Sequence, residues 1–367
     1  MTENNQKQID KLFEIAKKYE ASDLHLKVDN PPILRIKGKM RTLESKPLSN
    51  SDLRQLIYAM LTPEQIQHFE KSGDLDIGYN SPGVGRFRVN LLRQRGCLGM
   101  VARRVNSHIP TFEELHLPPI LAKVALYEQG LVLVCGITGS GKSTTLASMM
   151  QHINKNVRCH IVTIEDPIEY VYTDEKSIIN QREVGLDVES FHLAMRTVVR
   201  QDPDVILVGE MRDAETFSTA LAAAETGHLV FGTLHSSTVS QTFGRICDIF
   251  PPEERQSIRQ ALMFNLRAII CQKLAPMKDG KARVPVNEVM ISNPTIQKLI
   301  EEGNEKKIAD LIRIHTEDGM CDFNQSLYKL IKDGFITEKT GLTLSHNPEQ
   351  LKMNLKGIFI TDTGIVG

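Results

Sequence analysis

A short apolar run leads into a glycine-rich loop at Leu131-Val132-Leu133-Val134-Cys135-Gly136-Ile137-Thr138-Gly139-Ser140-Gly141-Lys142-Ser143. The last eight residues fit the pattern G-x-x-x-x-G-K-[ST], in which a strand precedes a phosphate-binding loop and a helix follows it. Glycine allows the backbone to approach a polyphosphate, so that N–H groups surround its oxygens. A glycine-rich turn without a ligand is the alternative, and the strand and helix patterns on either side argue against it. The segment predicts a nucleoside triphosphate site.

The residues of this loop have separate predicted roles. Lys142 supplies a positive charge to the β- and γ-phosphates, and the Ser143 hydroxyl supplies a ligand for Mg²⁺. The helix predicted from Thr144 onward directs its positive N-terminal end at the phosphates. The predicted cofactors are therefore ATP and Mg²⁺. The predicted nucleotide-binding residues of the loop are Gly136, Ile137, Thr138, Gly139, Ser140, Gly141, Lys142, Ser143 and Thr144.

The composition is that of an ordinary globular protein. The chain has 367 residues, with 41% hydrophobic and 24% charged residues, which is enough for two or three domains with sizeable cores. Its formal net charge is −1, from 44 basic and 45 acidic residues, which gives no overall attraction to nucleic acid. No apolar signal region or membrane-spanning run is apparent. We expect a cytoplasmic protein that reaches a membrane only through partners.

Two acidic groups follow apolar strand patterns downstream of the loop. Glu165 opens the cluster Glu165-Asp166-Pro167-Ile168-Glu169 behind the predicted strand His160–Ile164, and Glu210 follows the predicted strand Val205–Val208. Ligands of open α/β sheets bind at the carboxyl ends of the strands. A carboxylate there can orient or deprotonate a water, and another can hold the metal shell. Glu165 is the first choice for the base and Glu210 for the metal. The alternatives are a helix or turn cap for the first cluster, which suits Asp166 before Pro167, and a solvent-exposed strand-end acid for Glu210.

Histidines and arginines complete the set of candidates. His235 follows the predicted strand Leu229–Thr233 and lies at the same edge as the two acids, so contact with the γ-phosphate and a buried, hydrogen-bonded role are both open. Release of the phosphate would then affect the conformation of the following segment, Ser236–Arg245. Arginines are also dense between residues 86 and 104, where they either line a solvated sheet face or serve to clamp phosphate oxygens.

The chain changes pattern near residue 105. Residues 1–105 read as a helix, short alternating strands and turns, an α+β unit. Asn106–Pro118 reads as a connection. Residues 119–367 alternate buried strands with amphipathic helices, which predicts an α/β fold with a parallel sheet. Residues 252–274, 294–302, 304–315 and 321–333 are predicted to be helices that form an all-helical layer.

These motifs, in this order, resemble the secretion ATPase superfamily of type II and type IV systems, and within it the PilT-like type IV pilus retraction ATPases. The resemblance covers nearly the whole chain. The segments that carry it are Ala21–His25, Gly136–Ser143 (Walker A), Thr163–Glu169 (Asp box), Gln201–Asp204, Val205–Glu210 (atypical Walker B), Gly227–His235 (His box) and Arg245–Pro251.

The resemblance implies an N-terminal PAS-like domain at 1–105, a linker at 106–118 and a RecA-like ATPase domain with a helical C-terminal region at 119–367. It also implies a homo-hexamer with a membrane-embedded pilus platform protein and related pilus ATPases as partners, and no nucleic acid. Glu165 would activate water, Glu210 would lie in the metal shell, and His228 would lie with the nucleotide. The family's arginine pair is fifteen residues apart, as Arg88 and Arg103 are here; Arg104 is the alternative to Arg103.

One segment departs from the family pattern. Well-known retraction ATPases carry Ala-Ile-Arg-Asn-Leu-Ile-Arg-Glu in the helical region, and the matching Thr295–Glu302 has Gln297 and Glu301 in place of both arginines. The resemblance implies that this departure bears on contact with the pilus machinery, and hence on full retraction competence, and not on ATP hydrolysis. A retraction motor is the first interpretation, and an accessory retraction ATPase or a secretion ATPase is the alternative. A DNA translocase and a non-catalytic nucleotide sensor fit less well, because the chain lacks a basic–aromatic strip and retains both acids.

Overall fold

The computed structural model describes residues 2–105, 108–361 and 364–366. Residues 106 and 107, at the start of the predicted linker, lie outside the described residues. Two compact units are present: Met1–His108 with Glu169–Val171, and Ile109–Ile168 with Tyr172–Gly367. None of the described helices is both long and apolar enough to cross a membrane.

The amino-terminal unit is built around an antiparallel sheet. Its elements are α1 (Thr2–Lys18), β1 (Asp23–Lys27), β2 (Ile33–Ile36), β3 (Lys39–Thr42), α2 (Asn50–Tyr58), α3 (Pro63–Ser72), β4 (Asp74–Ser81), β5 (Gly85–Gln94) and β6 (Cys97–Arg104). The strand order is β3-β2-β1-β6-β5-β4. Helix α1 packs Phe13 against Phe87 of β5, with ring centroids 4.2 Å apart, in a core that is closed to solvent. This is the α+β unit predicted from the sequence.

The carboxy-terminal unit places helices on both faces of a seven-stranded sheet. Its elements are α4 (Ile120–Ala125), β7 (Gly130–Cys135), α5 (Lys142–Asn156), β8 (His160–Glu165), β9 (Ile178–Glu183), α6 (Phe191–Val198), β10 (Val205–Val208), α7 (Ala214–Glu225), β11 (Leu229–Leu234), α8 (Val239–Ile249), α9 (Arg255–Asn265), β12 (Leu266–Pro276), β13 (Arg283–Ile291), α10 (Pro294–Glu301), α11 (Ile308–Ile314), α12 (Phe323–Lys332), α13 (Glu338–Leu344), α14 (Pro348–Leu355), β14 (Phe359–Thr361) and β15 (Gly364–Val366).

The order of the large sheet is β13-β12-β7-β11-β10-β8-β9, and every neighbouring pair is parallel except β12 with β13. Strand β7 alternates between two cores: Leu131 and Leu133 face one, and Val132 and Val134 face the other. Burial on both faces explains why these strands read as continuous apolar runs. The carboxyl ends of β7, β11, β10 and β8 lie side by side, which brings the segments that follow them to one edge.

The prediction of a helix over 252–274 is wrong after residue 265. Helix α9 ends at Asn265, and the following residues form β12, which pairs with β7 on one side and β13 on the other. The apolar run Ala268-Ile269-Ile270-Cys271 fits a buried strand as well as a buried helix, so periodicity alone does not distinguish them. Pairing with β7 decides the outcome. The region after β11 is therefore a mixed layer and not an all-helical one.

Strand β13 carries a buried carboxylate. The side chain of Glu288 is 7% exposed, and its Oε2 accepts a hydrogen bond of 2.6 Å from the N–H of Val239, the first residue of α8. Burial raises the pKa of Glu288 to about 7. This value is the net result: Asp322 acts in the same direction as burial, whereas the Val239 N–H, Lys273 and Arg313 act to lower the pKa. Because the unfolded carboxyl has its ordinary pKa of 4.5, the folded protein keeps a proton that the unfolded chain loses between these values.

Glu288→Gln is expected to remove one component of the pH dependence of stability. In the wild type this component lowers the free energy of unfolding as the pH rises from 4.5 to about 7, by up to about 3 kcal/mol. Urea denaturation from about pH 4.5 to about pH 8 measures the difference between variant and wild type. The control is Glu253→Gln at an exposed carboxylate. If the free energy of unfolding of Glu288→Gln varied with pH in parallel with that of the wild type, the raised pKa of Glu288 would be contradicted.

Candidate nucleotide-binding site

The loop between β7 and α5 has the close packing that a phosphate-binding loop needs. Gly136 and Gly141 have positive φ angles of 153° and 88°. A Cβ atom on Gly136 would lie 2.4 Å from the backbone oxygen of Gln272, and one on Gly141 would lie 2.8 Å from Gln272 Nε2. Both positions therefore require glycine, for backbone conformation and for space.

The loop places the Lys142 ammonium against its own backbone. Lys142 Nζ donates to the carbonyl oxygens of Gly136, at 2.7 Å, and Ile137, at 3.3 Å. The Ser140 hydroxyl oxygen is buried and has no hydrogen-bond partner among the residues with described side chains. Lys142 and Ser143 are the first two residues of α5, so the positive end of the helix opens at the loop. The loop fits a polyphosphate.

Beside the loop, Glu210 lies between two basic side chains. His235 Nε2 is 3.1 Å from Glu210 Oε1, and Arg212 Nη2 is 2.6 Å from Glu210 Oε2. Burial of the carboxyl raises the pKa of Glu210, but the hydrogen bond and charge of Arg212, followed by the charges of His235 and Lys142, lower it overall. Glu210 is therefore an anion at neutral pH, held in place and 20% exposed.

Strand register explains why these groups meet. Val208 of β10 pairs with Gly232 of β11, and Leu234 at the end of β11 pairs with Cys135, directly before the loop. The Thr233 hydroxyl donates to the Gly209 carbonyl at 2.5 Å, which fixes the turn that carries Glu210. Glu210, His235 and the loop consequently emerge at one sheet edge, as parallel topology predicts.

Glu165 lies at the same edge, but its carboxylate is already engaged. Its Oε1 accepts hydrogen bonds from Thr163 Oγ1 at 2.6 Å and from Gln181 Nε2 at 3.1 Å, which tie it to β8 and β9. A Cβ on Gly209 would lie 3.3 Å from the Glu165 Cα, so the glycine lets the end of β10, which carries Glu210, lie close to the end of β8. Glu169, the last acid of the same cluster, is exposed and belongs to the amino-terminal unit.

His228 does not lie with the other predicted residues. It precedes β11, beside Gly130 at the start of β7, and therefore at the opposite end of these strands from the phosphate loop. Its Nδ1 is 2.8 Å from the Ala223 carbonyl oxygen, a contact with the end of α7. His228 therefore lies apart from the loop, Glu210 and His235 of the same unit, and its nucleotide-binding role stays a prediction. The sequence showed a strand with a histidine at each end, and only one end of a strand faces the loop.

In the amino-terminal unit, Arg88 and Arg103 are direct partners across β5 and β6 and share one face of the sheet. Arg104 pairs with Phe87 and lies on the other face, which separates it from Arg88. Arg103 Nε donates to Asp23 Oδ1 at 2.8 Å, although the Arg103 side chain is 72% exposed. Burial raises the pKa of Asp23, but the hydrogen bonds from Arg103 and Ser22 and the nearby positive charges lower it overall.

Sequence reasoning missed two residues of the site, Arg212 and Gln272. Arg212 was detectable, because it follows Glu210 by two residues in Gly209-Glu210-Met211-Arg212. Gln272 gave no local signal, since it reaches Ser140 from a strand predicted to be a helix. No cluster of three or more His, Cys, Asp or Glu in the described part of the chain is arranged to hold a metal by itself. The oxygen donors predicted for Mg²⁺ are Ser143, at the start of α5, and Glu210, beside the loop.

A parallel sheet whose edge joins a phosphate loop, an ionised acid and a histidine defines the class of P-loop nucleoside triphosphatases. Within this class the chain matches, over residues 3–337, the family described as type II/IV secretion system protein. It belongs to that family.

Relatives and a solved structure extend the likeness over nearly the whole chain. The type IV pilus ATPase PilU of Pseudomonas aeruginosa is 40% identical over 349 residues, 95% of this chain and 91% of that protein. The type IV pilus retraction ATPase PilT of the same organism is 42% identical over 341 residues, 93% of this chain and 99% of that protein. A crystal structure of the pilus retraction motor PilT with bound ADP matches with a TM-score of 0.86 at 43% identity, covering 94% of this chain and 98% of that one. The predicted resemblance and α/β fold are confirmed; the PAS-like description of the first domain stays a prediction.

Proposed function

We propose that this chain is an ATP-hydrolysing motor that powers type IV pilus retraction. The observation that carries the proposal is the convergence of the phosphate loop, Glu210 and His235 at one sheet edge. The similarity to a named retraction ATPase over 93% of the chain supports the pilus as the structure on which the motor acts. The enzymatic reaction is ATP and water to ADP and phosphate.

Each group at the edge has a proposed task. The loop N–H groups, Lys142 and the α5 N-terminus bind and orient the triphosphate, while Ser143 and Glu210 hold the metal shell. Mg²⁺, when bound, neutralises the β- and γ-phosphate oxygens. Glu165 orients the attacking water, and Glu169 is the alternative from the same acidic cluster, since Glu165 already accepts two hydrogen bonds. Positioning and electrostatics supply the catalysis.

The motion begins at His235. Loss of the γ-phosphate changes the contacts of His235, which directly precedes the segment that leads into α8. Two hydrogen bonds hold that segment in place. One joins Ser236 Oγ and Thr242 Oγ1 at 2.7 Å, and the other is donated by the Val239 N–H to Glu288. Arg88 and Arg103 reach the nucleotide from the first domain, at 1–105, so that hydrolysis rotates this domain relative to the second, at 119–367. In a homo-hexamer on the cytoplasmic side of the inner membrane, the rotation passes to a membrane-embedded pilus platform protein.

An accessory motor is the second candidate function. Gln297 and Glu301 lie on α10, and the exposed Lys298 pairs with Glu302 rather than standing as an uncompensated cation. The outward face of α10 is therefore less basic than that of the arginine-bearing family segment. The 40% identity to an ATPase named PilU, beside 42% to PilT, is consistent with either role.

Deletion of the gene in its host is expected to leave surface pili assembled and to abolish their retraction. Wild-type protein supplied in trans should restore retraction, and Lys142→Ala should not. The measurement is the retraction of labelled pili together with twitching on a surface. Normal retraction in the deletion strain would exclude the principal role; a loss of retraction only under load would then assign the accessory role.

A further inference from the structure

We propose that Gln272 is a positioning residue for nucleotide binding, which aims the Gly141 N–H at the phosphates. The proposal depends on the proposed function only in requiring that the loop bind a nucleotide. Gln272 lies on β12, is 2% exposed and stands directly beneath the loop. Its side-chain nitrogen Nε2 donates to the Ser140 carbonyl oxygen at 2.8 Å.

Because the peptide group is planar, this hydrogen bond also fixes the direction of the Gly141 N–H. In a trans peptide the C=O of one residue and the N–H of the next point to opposite sides. The bond from Gln272 holds the Ser140 C=O toward the protein interior, so the Gly141 N–H points away from it, to the ligand side of the loop. A peptide rotated by half a turn would present a carbonyl oxygen to the phosphates, which repels them. Gln272 therefore selects the arrangement that binds an anion.

The amide itself is held by two further contacts. Gln272 Oε1 accepts from the Thr145 hydroxyl at 2.8 Å and from Asn287 Nδ2 at 3.0 Å. Asn287 is the direct partner of Gln272 across β12 and β13 and is equally buried. Because both donors face Oε1, the Nε2 end must face Ser140. One buried amide thus connects the loop, the first turn of α5 and the edge strand β13.

Gln272→Met removes the amide at nearly constant volume, and we expect the ADP dissociation constant and the KM for ATP to rise about tenfold. The turnover number should change by less than about threefold, because the Gly141 N–H, unlike the Lys142 ammonium, contacts the phosphates equally in the ground and transition states. A variant that is only less stable loses active protein, and hence apparent turnover, without a change in KM. Calorimetric titration with Mg-ADP and steady-state phosphate release give both readouts.

The matched control is Asn324→Ala, which removes another buried amide. Asn324 Nδ2 donates to the Asn347 carbonyl at 3.0 Å and its Oδ1 accepts from Ser345 Oγ at 2.6 Å, in contacts outside the phosphate loop. Its nucleotide affinity should stay within about twofold of the wild type. Wild-type affinity in Gln272→Met would overturn the inference while leaving the proposed function intact. Failure of the wild type to bind Mg-ADP would instead refute the proposed function.

Gln272→Glu supplies a second, independent readout. An ionised carboxylate cannot donate to the Ser140 carbonyl, whereas the protonated acid can. The affinity of this variant for Mg-ADP should therefore improve relative to the wild type as the pH is lowered from about 8 to about 6. A pH-independent ratio of the two dissociation constants would count against the inference. If Gln272→Met does not fold, this variant and Asn287→Ala, expected to weaken binding about threefold, decide the question.

Discussion

Lys142→Ala is expected to abolish ATP hydrolysis, lowering phosphate release by about a hundredfold or more. The Lys142 ammonium is the only cation that the phosphate loop itself contributes, and it already lies against the Gly136 and Ile137 carbonyls at 2.7 and 3.3 Å. Bound triphosphate would replace those carbonyls as its partner. Alanine leaves the developing charge on the β- and γ-phosphate oxygens without this compensation. The measurement is phosphate release with saturating Mg-ATP.

Lys155→Ala is the matched control for this variant. Lys155 is an exposed lysine in the last turn of the same helix, α5, so its loss removes an equal charge at the far end of the helix. Its turnover should equal that of the wild type. Wild-type turnover in Lys142→Ala would show that the phosphate loop is not part of the catalytic site.

Glu210→Ala is expected to bind ATP with an affinity close to that of the wild type and to lose turnover about a hundredfold or more. The carboxylate is held between His235 and Arg212; burial raises its pKa, but the hydrogen bond and charge of Arg212 lead the contributions that lower the pKa overall. Its removal leaves the loop contacts in place but takes away the anion that faces the metal shell. Nucleotide titration and phosphate release separate the two effects. Glu225→Ala, at an exposed acid near the opposite end of the strands, serves as control.

Two companion substitutions resolve the identity of the residue that orients water. Glu165→Gln preserves the hydrogen bonds from Thr163 and Gln181 only in part, because the amide is a weaker acceptor than the carboxylate. Glu169→Gln alters an exposed carboxylate with no such contacts to β8 or β9. The variant with the larger loss of turnover at unchanged ATP affinity identifies the base. Equal, wild-type turnover in both would contradict a base in this acidic cluster.

The sequence alone determined the central motif, the strands that flank it and the family. The loop Gly136–Ser143 is recognisable because its function depends on a local backbone path, and local geometry requires glycine at fixed positions. Strands β7, β8, β10 and β11 read as apolar runs because both of their faces are buried. The ends of those runs located Glu210 and His235 at one edge, since parallel strands share a direction.

The tertiary structure decided what depends on partners distant in sequence. Gln272 reaches the phosphate loop across 132 residues, from a strand that pairs with β7 on one side and β13 on the other. The register between β5 and β6 put Arg103, and not Arg104, on the face of Arg88. Strand direction sent His228 to the far end from the loop. An apolar run or a charged residue has no intrinsic orientation, so pairing and packing had to supply it.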